Sequence, residues 1–204
     1  MPGDLVLKIK SSFEESIEVK KKVIDVGLLN LLTVSADLIS DSILQGGKLM
    51  ICGNGGSAAD AQHLVAEFLI RLTSEVNRPG IPAITLLQDS STFTACVNDF
   101  NSEEIFSRNL LTLAKPNDVV LVLTTSGNSP NILKVLKEAK RIGIKTIGFL
   151  GSGGGKAKNN CDVSFVVPSN NTARIQEVHI TAGHATLEYV ETKLIEKGFF
   201  DNKK

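Results

Sequence analysis

KLMICGNGGSAADAQHLVAEF, residues 48–68, decides how the rest of the chain is read. An apolar run leads into a glycine-rich turn, and the turn opens a helix. Leu64, Val65 and Phe68 mark the side of that helix that packs on a sheet, while His63 and Glu67, four residues apart, share another line along it. The run KLMIC lacks polar alternation, as a strand covered on both faces does. Strand, turn and helix in that order form the first half of a βαβ unit.

The same alternation continues to the end of the chain. Further apolar runs are PAITLL (82–87), DVVLVLT (118–124), KTIGFL (145–150) and DVSFVV (162–167), and helices are expected from near Ser57, Ser102, Pro130 and Thr172. Strands alternating with helices imply right-handed crossovers and a parallel sheet. The pattern predicts an α/β fold, a three-layer αβα sandwich around a five-stranded parallel sheet. Ligands in such sheets bind beyond the carboxyl ends of the strands. Ahead of the first strand, residues 5–26 and 28–45 read as amphipathic helices, the second closed by Gly46-Gly47 and apolar around enough of its girth to be buried on two sides. The whole is expected to be one domain, 1–204, with a helical extension over about residues 1–46.

Composition narrows the function classes. The chain has 204 residues, with 22 Lys plus Arg against 22 Asp plus Glu. That balance lacks the basic footprint of a nucleic-acid binder. No run approaches the roughly 18 apolar residues of a membrane span, and the first residues lack the apolar core of a signal peptide. The three cysteines, Cys52, Cys96 and Cys161, have neither zinc-finger nor CxxC spacing. They read as reduced core thiols of a cytoplasmic protein, with a reactive Cys52 as the alternative.

Gly53-Asn54-Gly55-Gly56-Ser57-Ala58 fits the relaxed dinucleotide pattern GxGxxA, but the acidic residue due about 20 positions on is missing; Asp89 comes about 33 on. Two readings remain. In one, backbone N–H groups and the helix start cradle an anion, with Ser57 capping or donating. In the other, the glycines serve only the turn. The second loop is more telling. Thr124, Thr125, Ser126, Asn128 and Ser129 crowd before Pro130, although one capping residue, Ser129, would suffice to start the helix. Five clustered polar side chains at a strand's carboxyl end suit a phosphate monoester. The tract GSGGGKAKNN, 151–160, lacks P-loop spacing and reads as a mobile connection. Last, TARIQEVHITAGH places Gln176 and His184 eight apart, about 80° around a helix and about 12 Å along it, with His179 as a spare candidate ligand.

GNGGSAADAQHLVAE, VNDF, TTSGNSPN and TARIQEVHITAGH together resemble the sugar isomerase (SIS) domain family, and within it the phosphoheptose isomerases. The resemblance implies a homotetramer with active sites between subunits. It implies reversible conversion of sedoheptulose 7-phosphate to D-glycero-D-manno-heptose 7-phosphate, toward the heptose of lipopolysaccharide or capsule. It also implies zinc, held by residues matching His63, Glu67, Gln176 and His184. Asn54, Gly55, Gly56, Asn98, Asp99, Thr124, Thr125, Ser126 and Ser129 fall on the family's substrate-contact positions, and Ser57, Glu67 and Gln176 join them as expected contacts. Isomerisation through an enediol needs a base at the carbon acid and an acid at the oxygens. Glu67 is the expected base and His184 its acid/base partner; a carboxylate that shifts position would let Glu67 serve zinc as well. Val97 stands where the resemblance expects glycine, Thr124 where it expects serine, and IRLTSEVNRPG is longer than expected. The rival readings are a non-catalytic relative that binds the replication initiator, against which Glu67 and His184 speak, and an SIS protein for another sugar phosphate.

Overall fold

The computed structural model describes residues 2–87 and 89–201. Five strands, β1 (Leu49–Gly53), β2 (Ala83–Thr85), β3 (Val119–Thr124), β4 (Lys145–Leu150) and β5 (Val163–Val166), form one sheet in the order β2-β1-β3-β4-β5. All the pairings are parallel, so every carboxyl end lies on one edge. The chain steps outward from β1 to β2, then returns to the far side of β1 as β3. The loops after β1 and β3 therefore stand side by side at the point where strand order reverses, the usual ligand crevice of an open parallel sheet.

Side chains alternate across the sheet with period two. Leu49, Ile51, Leu121, Leu123, Ile147 and Phe149 face one layer of helices, α1 (Pro2–Asp25), α2 (Leu29–Leu44), α3 (Gly56–Leu69) and α7 (Thr172–Glu196). Met50, Cys52, Val120, Val122 and Leu150 face the other, α4 (Ser90–Asp99), α5 (Ile105–Leu113) and α6 (Pro130–Arg141). The three-layer sandwich and five-stranded parallel sheet expected from the sequence are present. No single helix among the described residues is long and apolar enough to cross a membrane.

Two local expectations need correcting. The connection between β2 and β3 holds two helices, not one starting near Ser102. Helix α4 went unseen because only Cys96 in SSTFTACVND is buried, leaving no apolar stripe to read. Val97 lies within that helix, where valine is accommodated without needing glycine's freedom. Nor is GSGGGKAKNN a loose connection. It forms short 3-10 turns over Ser152–Asn160, broken at Gly153, Gly154 and Gly155, and it docks under the loop after β3.

Candidate active site

The seam between α3 and α7 gathers most of the candidate residues within a single chain. The two helices descend side by side from the carboxyl edge of the sheet. At the top, the Gln176 amide lies so close to Gly56 that a Cβ there would sit 2.6 Å from its Nε2. Glycine at 56 thus makes room for Gln176. Lower down, Leu64 packs over Gly183. Beside them, His63 Nε2 and His184 Nε2 stand 2.8 Å apart, with their rings edge to face. Glu67 Oε1 lies 3.6 Å from His63 Nε2, beyond a hydrogen bond but within ion-pair range. The top of α7 is braced from outside by α1: Arg174 donates to the Ser12 carbonyl at 2.5 Å and Asn171 to Glu15 Oε2 at 3.1 Å.

At 2.8 Å the two Nε2 atoms stand at hydrogen-bond distance, a contact that needs Nε2–H on one ring and a bare Nε2 on the other. Both Glu67 and His184 face the same His63 nitrogen, Nε2, so the three side chains form a compact cluster of one carboxylate and two imidazoles. Asp60, one turn before His63, joins this patch unforeseen. Burial holds its carboxyl above the ordinary range, with the charge of His63 opposing, and its Oδ2 has no hydrogen-bond partner. Its sequence signal was the three-residue spacing from His63.

Two nitrogens, a carboxylate and an amide oxygen are a suitable donor set for zinc. The spacing is tighter than a metal would leave it, since two nitrogens about 2.0–2.1 Å from one tetrahedral zinc stand roughly 3.3 Å apart. Among the described residues, no three His, Cys, Asp or Glu side chains are arranged to hold a metal ion. The donor types fit, and the pair must open by about half an ångström to admit one.

The loop after β3 lies across the crevice. Thr125, Ser126 and Ser129 line its turn, and Ser129 occupies the helix-cap position of α6 without its side chain making the cap bond. Thr124 differs from expectation: it is buried, and its hydroxyl accepts from the Gly127 N–H at 3.2 Å, so it shapes the loop from beneath. Gly127 has φ +65°, and a Cβ on it would fall 2.0 Å from the Gly154 carbonyl oxygen. The glycine tract is pressed against this loop and clasped by Ala157 N–H to the Gly127 carbonyl (2.9 Å) and Lys156 N–H to Asn128 Oδ1 (3.1 Å).

Asn54, from the turn after β1, exchanges two amide hydrogen bonds of 2.9 Å with Asn131 of α6. This reciprocal pair ties the two loops together across the crevice, and the sequence reading missed Asn131. Gly55, not Ser57, occupies the cap position of α3, and Ser57 is buried in the first turn. Asn98 and Asp99 stand at the exposed end of α4, where Asn98 donates to Asp99 Oδ1 at 2.8 Å. Among the described residues, no hydrogen bond joins either to the α3–α7 seam, and α4 packs chiefly on α5.

Two alternatives fall. His179 is no spare ligand: it is fully buried toward Phe149, far into the helix–sheet interface. Burial pushes the Cys52 thiol well up, so it is not a reactive thiolate.

The sequence pattern described as SIS domain matches residues 13–151. A phosphoheptose isomerase of Paramagnetospirillum magneticum is 52% identical over 151 residues, covering 74% of this chain and 78% of that protein. Another, of Chlorobaculum parvum, is 47% identical over 166 residues, covering 81% and 79%. The solved structure of a phosphoheptose isomerase from Francisella tularensis matches with a TM-score of 0.86 at 35% identity, covering 92% of this chain and 98% of that one.

Proposed function

The chain belongs to the SIS domain family, and on that footing we propose that it is an aldose–ketose isomerase interconverting sedoheptulose 7-phosphate and D-glycero-D-manno-heptose 7-phosphate. The observation that carries the reading is the cluster of Glu67, His63 and His184 in one seam, beside a hydroxyl-rich loop. The reaction takes a proton from the carbon next to the carbonyl and returns it to the neighbouring carbon. Glu67 removes that proton as carboxylate and returns it to the neighbouring carbon; His184 gives and takes the oxygen-bound proton, its ring held by the His63 Nε2 contact. Thr125, Ser126 and Ser129 hold the phosphate, leaving the other end of the sugar toward the seam. Asn98 and Asp99 would serve a substrate only if another subunit carries α4 to the crevice.

That last point agrees with a homotetramer whose sites lie between subunits, which is part of the proposal. Leu5, Val6, Ile9, Phe13 and Ile17 of α1 are all more than half exposed and share one side of the helix, an apolar face suited to a second copy. Zinc is also part of it: His63, Glu67, Gln176 and His184 would hold the ion, which when bound polarises the sugar oxygens. We place the enzyme in the cytoplasm, where its three unpaired thiols stay reduced, and its product in the supply of heptose for lipopolysaccharide or capsule.

The test is incubation with sedoheptulose 7-phosphate and identification of the sugar formed. An aldoheptose 7-phosphate is expected; unchanged ketose from folded, zinc-supplied protein would refute the reading. Chelation should lower the rate and added zinc restore it, whereas full activity in metal-free protein removes zinc from the scheme.

A further inference from the structure

The isomerase reading uses the upper part of the α3–α7 seam, yet just below Glu67 the seam holds a buried ion pair that the chemistry leaves unexplained. Arg78 comes from the irregular stretch between α3 and β2, the part of the sequence that looked too long. Its Nε donates to Glu191 Oε1 on α7. One terminal nitrogen donates to the Phe68 carbonyl at 3.0 Å and the Pro79 carbonyl at 3.1 Å, and the other to the Glu67 carbonyl at 3.0 Å. The side chains are 2% and 7% exposed.

Packing alone does not account for this pair. Two charges withdrawn from water cost more than an apolar pair of the same volume, which would hold two helices together at least as well. What only a guanidinium supplies is a rigid planar fork. Here the fork spans a carboxylate on α7 and two consecutive carbonyls in the last turn of α3 that helix geometry leaves open; the Phe68 carbonyl also accepts from the Ile81 N–H at 2.8 Å. A positive charge is also favoured at that end of the helix. One of those carbonyls belongs to Glu67, and Glu191 lies two turns below His184 on the same helix.

We propose that Arg78 is a positioning residue: anchored by Glu191, it fixes the Glu67 backbone against α7 and so sets the reach of the Glu67 carboxylate to the His63–His184 pair. The kinetic part of the test rests on the isomerase reading. In Arg78→Lys the charge remains, but one ammonium cannot span Glu191 and both carbonyls. A displaced base should lower kcat roughly ten- to hundredfold, because misplacement by about an ångström has that effect. KM should stay within about threefold, since ground-state contacts are untouched. The double variant R78M/E191L should melt at or above the wild-type temperature and still lose kcat. Greater stability with slower turnover is not what loss of a merely structural contact produces.

A readout independent of turnover comes from the three histidines. In both variants the ring NMR signals of His63 and His184 should move, while those of His179 stay in place. If the wild type isomerises no sugar phosphate, the isomerase reading falls and the rings still decide the positioning role. Native kcat in Arg78→Lys, or unmoved His63 and His184 signals, overturns it; should R78M/E191L fail to fold, Arg78→Lys decides alone.

Discussion

The two faces of the sheet bury different things. Beneath α5 and α6 the core is Met50, Cys52, Phe106, Val120, Val135 and Leu136, and the buried Ser107 hydroxyl merely returns to its own helix at the Glu104 carbonyl. Beneath α3 and α7 lie His179, Arg78 and Glu191, with His63, Glu67, Gln176 and His184 along the upper seam. Both faces carry a helix pair, α5 with α6 and α3 with α7. The difference lies in what meets there: Lys134 and Glu104 pair at the partly exposed edge of the first, whereas Arg78 and Glu191 are buried beneath the second. The dry face gives stability, and on the proposed reading the seam gives reactivity at some expense of stability.

The largest expected effect tests that division directly. Glu67→Gln keeps shape and removes the carboxylate, so turnover should fall by about a thousandfold or more, with an unchanged melting temperature. On the dry face, Leu136→Ala should do the reverse. It should cost about 2–5 kcal/mol of stability while the folded fraction turns over at the wild-type rate. Initial rates and denaturant curves for both variants suffice; a slow Leu136→Ala or an active Glu67→Gln would erase the distinction between the faces.

His179 sharpens the comparison from within the polar side. Its ring is fully buried, and neither nitrogen meets a hydrogen bond of good geometry, though the Leu150 backbone is close enough to favour the charged form slightly. Burial lowers its pKa from 6.5 to about 4. Below pH 6.5 the unfolded chain binds a proton that the folded chain refuses. Stability is therefore full above that pH and declines until about pH 4, by about 3 kcal/mol in all. Between pH 7 and pH 5 the wild type should lose about 2 kcal/mol that His179→Leu does not. An equal loss in both chains would mean that this ring is not the group being titrated.

Residues that announce themselves locally were legible. Unbroken apolar runs showed the strands, and clustered hydroxyls before Pro130 marked the loop after β3. His63 and Glu67 showed their shared line by spacing, while Gln176 and His184 took their roles from family resemblance. What escaped depends on distant partners. Arg78 and Glu191 are 113 positions apart, and an arginine in an irregular stretch gives no sign that it will be buried. Helix α4 buries too little to show a period. The glycine tract looked mobile by composition, and its order comes from a loop about 25 residues earlier that presses carbonyls into the space its missing side chains leave.

The smallest expected effect concerns Asn131, on the dry side, whose amide pair with Asn54 reaches across the crevice. Asn131→Ala removes both hydrogen bonds and leaves the turn after β1 untethered. Exposed bonds of this kind contribute about 1 kcal/mol, so KM should rise a few-fold with kcat little changed. Asn131→Asp makes the experiment more pointed. It can still accept from the Asn54 amide, so by hydrogen bonding alone it should be the milder variant. A phosphate seated among Thr125, Ser126 and Ser129 would reverse that order, because the new carboxylate would repel the dianion across a short distance. A higher KM for Asn131→Asp than for Asn131→Ala, shrinking as salt is added, therefore locates the phosphate at the carboxyl end of β3. The opposite order would move it elsewhere and leave the crevice a structural joint.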